Sequence, residues 1–319
     1  MARRPALPVT DARLEQHGSL TARAALASVS MALFLLALKS YAAWATGSVA
    51  MLGSLADTAF DVCASLITLY GVRLAAQPAD RDHRFGHGKA EALAALVQVA
   101  LIAVSATGIL WRAIDRLRHG GQTQGAEFGI GVSIIAILCT FLLLAYQRRV
   151  IARTGSVAIQ ADNVHYQSDL LLNGSVIVAL LLDQFTGLRG ADPIFGIGIA
   201  LWLAWGAWTA SSHAIDQLMD REWPEEKRQR FVDLANAQPG FRGIHDLRTR
   251  TSGAHDFAQF HAWVDPRMTI AEAHEMVEAA ELALETAFPG TEVLIHLDPE
   301  GQIDRAGEAD EVLRETPET

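Results

Sequence analysis

Cysteine is nearly absent: Cys63 and Cys139 are the only two in 319 residues, and both fall in apolar runs. That scarcity argues against a disulfide framework or a thiolate ligand pair, and both are expected to be buried free thiols. Basic residues are outnumbered, 26 against 36 acids, giving a net charge of −10 with most of the acids after residue 220. An acidic soluble half argues against nucleic acid as a partner and is compatible with cation binding. Enzymatic signatures are missing too. No H-E-x-x-H or G-x-S-x-G occurs, and without a Walker A segment ATP-driven pumping by this chain is not expected. The polar opening MARRPALPVTDARLEQHGSL has no signal-peptide h-region, so no removed segment is expected.

What the chain does have is long apolar runs: half of its residues are hydrophobic, and mean hydropathy is +0.19. Several runs approach the ~20 apolar residues that cross a bilayer. Six spanning helices are expected, at about 24–45, 49–72, 92–111, 128–146, 157–182 and 194–210. The short turn ATGS makes the first two a hairpin. Arg and Lys gather before helix 1, between helices 2 and 3, and between helices 4 and 5, which places both termini in the cytoplasm. Lys39, near the outer end of helix 1, is expected to snorkel to the interface. Helix 5 reaches spanning length only by including VAIQADNVHYQSD, as a helix facing a bundle interior or a water-filled cavity would.

From Arg221 the pattern changes. Pro224 opens a polar amphipathic helix, IHDLRTRTSG and DFAQFHAWVD form a hairpin, TIAEAHEMVEAAELALETAFPG is a second helix, and VLIHLDP a last strand. The expected architecture is therefore a six-helix transmembrane bundle (23–215) after an N-terminal cytoplasmic segment (1–22). A small α+β domain of order αββαβ follows (216–300), then an acidic, disordered tail (301–319).

Ionisable residues inside the spans carry the chemistry. Asp57 and Asp61 lie four apart in helix 2, and His165 and Asp169 four apart in helix 5, each pair on one helix face. Each such residue costs about 2.5–3.5 kcal/mol at a helix centre. With opposite helix directions, Asp57 comes level with Asp169 and Asp61 with His165, at depths of about 12 and 18 Å. Three carboxylates and an imidazole at one depth suit a tetrahedral divalent metal such as Zn2+, and also admit Cd2+, Fe2+ or Mn2+. Metal requires deprotonated carboxylates and a neutral ring, so protons compete for the same place, and alternating access to such a site is an antiport. A non-transporting metal sensor or scaffold is the rival reading. Asp80, His83 and His87, in a glycine-punctuated loop, form a second candidate cluster. His245, His261, His274, His296 and Asp298 of the soluble domain form a third, with His296 and Asp298 on one strand face.

With these residues in view, the stretches TGSVAMLGSLADTAFDV, QPADRDHRFGHGKAEALAAL, ADNVHYQSDLLLNG, IHDLRTRTSG and VLIHLDP resemble the cation diffusion facilitator family. The branch they resemble is the bacterial zinc and ferrous-iron efflux transporters of the inner membrane. The resemblance implies a transport site at Asp57, Asp61, His165 and Asp169 and a loop site at Asp80, His83 and His87. It implies a cytoplasmic binuclear site from the four histidines and Asp298, with Asp298 as bridge. It further implies a homodimer with metallochaperone-like cytoplasmic domains, and a charge interlock between Lys89 and Asp220.

Overall fold

Helix extends well beyond the apolar runs that announce it. The computed structural model describes residues 8–46, 49–119, 126–186 and 191–301. Six long helices come first: α1 (Pro8–Thr46), α2 (Val49–Ala75), α3 (Ala90–His119), α4 (Ala126–Thr154), α5 (Val157–Thr186) and α6 (Ala191–Leu218). The opening segment, expected as a polar extension, is helical from Pro8 and continuous with the first span. Helix formers such as Ala12, Arg13, Leu14, Glu15 and Gln16 carry the helix past its apolar part. Gly47, Ser48 and the acidic tail from residue 302 lie outside the described residues.

Five helices contain segments long and apolar enough to cross a membrane: Leu14–Ala45, Asp57–Ala75, Ala90–His119, Ile134–Thr154 and Pro193–Leu218. The exception is α5, whose Asp162, Asn163, His165, Gln167, Ser168 and Asp169 dilute its hydropathy. Those polar residues face inward, and α5 packs against α2, α3 and α4.

Small residues let the helices approach closely. Ala24 and Ala25 of α1, Leu69 and Val72 of α2, Val150 of α4, and Ala158 and Ile159 of α5 share one buried cluster. Ile102 and Ala106 of α3 meet Ile199, Leu203 and Ala207 of α6 in another. A side chain at Gly71 of α2 would put its Cβ 2.3 Å from that of Ala94 on α3, so only glycine permits this approach. Buried Glu91, at the start of α3, accepts a hydrogen bond from Ser156, the residue before α5. Outward faces remain apolar, with Leu138, Phe141, Leu142, Trp205 and Trp208 all exposed, as lipid contact requires. Cys63 lies on such an outward face and is exposed, while Cys139 is half-buried. The expectation of two buried thiols is therefore corrected: an apolar residue of a spanning helix faces lipid as readily as core.

Residues 17–215 form one compact unit; a second contains residues 216–301 and the start of α1 up to Gln16. In the second unit, α7 (Glu225–Asn236) follows Pro224, whose fixed φ suits a helix start. Strands β1 (Ile244–Ser252) and β2 (His255–Val264) pair antiparallel around Gly253, at φ 61°. Helix α8 (Ile270–Ala287) then returns the chain to β3 (Thr291–Pro299), parallel to β2, in a sheet of order β1-β2-β3. Thr269 and Glu272 form a capping box at the start of α8. The core gathers on Phe231, which contacts Trp223, Phe260 and Phe288 edge-on at ring separations of 5.3–5.9 Å.

Candidate metal centres

Three clusters of metal-ligating side chains stand among the described residues. In the bundle, Asp61 of α2 and His165 and Asp169 of α5 each present a donor atom within 4.8 Å of the others. His165 Nε2 lies 3.0 Å from Asp61 Oδ1, with the imidazole buried and the carboxylate half-buried. Asp57, the fourth residue of the expected set, is exposed one turn away on α2 and stands outside this group. A four-residue step advances a helix about 6 Å, so one donor position does not serve both carboxylates of α2 without a side-chain adjustment.

The surroundings hold these donors in place. Tyr166 OH lies 2.8 Å from Ser65 Oγ, one turn along α2 from Asp61, and donates to the Ser28 carbonyl of α1 at 3.0 Å. Next to it, buried Asp162 accepts hydrogen bonds from Ser28 Oγ at 2.6 Å and Gln147 Nε2 at 2.7 Å, while Asn163 Nδ2 donates to Gln147 Oε1 at 2.9 Å. This network joins α1, α4 and α5. No i,i+4 partner marks Asp162 in the sequence, although it is as much an intramembrane carboxylate as Asp61 or Asp169. Lys39 also departs from expectation. Its Nζ donates to buried Thr58 Oγ1 at 2.6 Å instead of reaching for the interface, because the hydroxyl of the neighbouring helix offers a partner at its own depth.

The second cluster lies between α2 and α3. Asp80 Oδ1 is 3.4 Å from His83 Nδ1, Asp80 Oδ2 is 3.4 Å from His87 Nε2, and the two rings are 4.5 Å apart. Asp80 Oδ1 accepts from the backbone N–H groups of His83 at 2.6 Å and Asp82 at 2.9 Å. The His83 N–H, with lesser help from the Asp82 N–H and the two rings, holds the Asp80 carboxyl below its ordinary value and so ionised for a cation. Gly86, at φ 80°, allows the turn that brings His87 back.

The third cluster is a row across the sheet. His245 on β1 pairs with His261 on β2, which pairs with His296 on β3. Asp298 divides its oxygens among them: Oδ2 lies 3.2 Å from His245 Nε2 and 2.9 Å from His261 Nδ1, and Oδ1 lies 3.3 Å from His296 Nε2. Three imidazoles around one nearly buried carboxylate are a donor set that fits Zn2+, with Asp298 able to bridge two ions. Buried His245 Nδ1 has no hydrogen-bond partner among the described residues. Burial, reinforced by His261 and opposed by Asp298, lowers the His245 pKa and favours the neutral, metal-binding ring. A bulge after His245, with Asp246 at φ 46°, brings Asp246 Oδ2 to 3.9 Å from His261 Nε2. Trp263 stacks on His245 at 4.4 Å. Neither neighbour was foreseen. His274 is exposed on α8, 3.6 Å from Glu278.

Lys89 and Asp220 fall in different units. Asp220 adopts φ 55°, and Arg250 Nη1 lies 3.7 Å from its Oδ1.

A helical membrane domain with metal donors inside its spans, joined to a small histidine-bearing α/β domain, defines a membrane protein that handles metal ions. Residues 25–219 match the cation efflux transmembrane domain, and residues 223–300 the cytoplasmic domain of cation efflux proteins. The chain belongs to the cation efflux family, whose members are transporters and not enzymes. It is 42% identical over 285 residues to the cation-efflux pump FieF of Salmonella arizonae, covering 89% of this chain and 95% of the relative. With FieF of Cronobacter sakazakii it shares 43% over 283 residues, 89% of this chain and 94% of the relative. A solved structure of the putative zinc transporter CzrB in its zinc form matches at 34% identity, over 27% of this chain and 99% of that one, with a TM-score of 0.25.

Proposed function

We propose that this cation efflux protein exports a divalent metal ion, Zn2+ first and Fe2+ or Cd2+ as alternatives, in exchange for protons by alternating access. The observation that carries the reading is the meeting of Asp61, His165 and Asp169 between two helices inside the spans. Mixed nitrogen and oxygen donors suit Zn2+ while admitting its neighbours. Asp57 completes the set by swinging toward the cluster when metal arrives. In the absence of metal, protons neutralise the carboxylates; metal displaces them, and protons return from the other side after release.

The chain works as a homodimer in a bacterial inner membrane, with both termini in the cytoplasm. Its arginine-rich loops and the pumps it resembles support this orientation and setting. The row of His245, His261 and His296 with Asp298 holds regulatory metal, which biases how two cytoplasmic domains pack and thereby how readily the bundle changes access. Asp80, His83 and His87 form a further ion site.

The test is transport into proteoliposomes across a pH gradient, with Zn2+ and Fe2+ run in parallel and lumenal pH followed. Metal movement with opposite proton movement is expected, and the faster ion names the substrate. Metal binding without any flux would replace transport with sensing.

A further inference from the structure

A basic side chain also lies within the spans. Lys39 lies in α1 seven residues before Thr46, about 10 Å along the helix from its end. A lysine there has enough stem to lift its ammonium toward the interface. The side chain instead turns into the bundle, where Nζ donates to Thr58 Oγ1 at 2.6 Å, and Thr58 is 1% exposed. Thr58 sits beside Asp57 and one turn before Asp61 on α2. The threonine therefore anchors the Lys39 ammonium about one turn along α2 from Asp61.

We propose that Lys39 is the charge-balancing residue of the transport site, holding a tethered positive charge that offsets the carboxylates around a bound dication. The inference rests on the transport-site reading above. Asp57, Asp61 and Asp169 contribute three negative charges and His165, as a metal ligand, none. Lys39 contributes one positive charge and the ion two, which offset those three, while buried Asp162 adds a further acid beside the set. Net charge within a membrane is costly, so a loaded site with less net charge changes access more easily. Lys39 also repels the metal it accompanies, so it limits affinity and speeds release, as a transporter that must let go of its cargo requires.

The sign of this effect separates it from a structural role. Damage to helix packing weakens metal binding, whereas loss of a repelling charge tightens it. The experiment is Zn2+ titration of the full-length protein in nanodiscs, reading the binding component that Asp61→Ala removes, together with Zn2+ flux in proteoliposomes. Lys39→Met is expected to tighten that component about tenfold or more and to lower maximal flux. Lys39→Arg, which keeps the charge, is expected to restore both. If Lys39→Met does not fold, Thr58→Val carries the test: freeing the ammonium from its anchor is expected to tighten binding in the same sense. Unchanged or weaker binding in the folded variant overturns the proposal and leaves the transport site standing. If Asp61→Ala removes no binding component, the transport-site reading and the proposal fall together.

Discussion

His165 Nε2 and Asp61 Oδ1 face each other at 3.0 Å, so an imidazole on α5 meets a carboxylate on α2 inside the apolar length of the bundle. The ring supplies the one nitrogen donor in an otherwise all-oxygen set. His165→Ala is expected to weaken Zn2+ binding by roughly tenfold or more, about 1.4 kcal/mol, and Mn2+ binding less, because Mn2+ accepts oxygen ligands readily. Competition titrations of the two ions check the difference. An equal loss for both would mean that the ring acts only in packing.

His261 occupies the middle of the histidine row and touches Asp298 on one side of the shared carboxylate. His261→Ala is expected to lower the number of ions held by the cytoplasmic domain while leaving Asp61, His165 and Asp169 loaded. Metal-to-protein ratios from elemental analysis decide this; a ratio equal to that of the unmodified protein refutes the assignment.

Burial holds both His245 and His255 below the ordinary histidine pKa of 6.5. In the unfolded chain these rings take up protons at a higher pH than in the folded one. Stability of the metal-free domain is therefore fully present above about 6.5 and declines as pH falls below it, toward the lowered folded values. Urea unfolding of residues 216–301 with chelator, at about pH 7.5 and about pH 5.5, is expected to show the lower midpoint at acid pH. The reverse order would contradict the burial argument.

Phe231 is fully buried and its ring meets those of Trp223, Phe260 and Phe288, linking α7 to the sheet. Phe231→Ala is expected to cost about 3–5 kcal/mol in the same unfolding assay, which is enough to unfold a small domain. A loss under about 1 kcal/mol would show that the cavity collapses without penalty.

Much of this was legible because membrane burial makes an ionisable residue conspicuous. The i,i+4 spacing named His165 and Asp169, and depth matching joined them to Asp61. The αββαβ order was legible from Pro224, the Ser252–Gly253 turn and the strand alternation. Depth gives height along a helix and not rotation about it, so sequence alone does not separate Asp61, which faces His165, from Asp57, which is exposed. For the same reason it could not tell that Cys63 faces outward. Lys39 was assigned to the interface because sequence shows how long a side chain is but not which hydroxyl another helix offers it. The polar contacts of Ser28, Gln147 and Asp162 pair residues 15 to 134 positions apart, beyond any local pattern. His274 fits the ligand type required, and on α8 it is exposed beside Glu278.

The central claim is that metal crosses the membrane through the cluster containing Asp61. Proton-driven Zn2+ uptake into proteoliposomes should therefore be compared between the unmodified chain and Asp61→Ala, at equal reconstituted protein. The account predicts gradient-dependent flux in the first and none above the protein-free background in the second, with the cytoplasmic domain of both still binding metal. Undiminished flux in Asp61→Ala would place the ion's path elsewhere in the bundle and contradict the account.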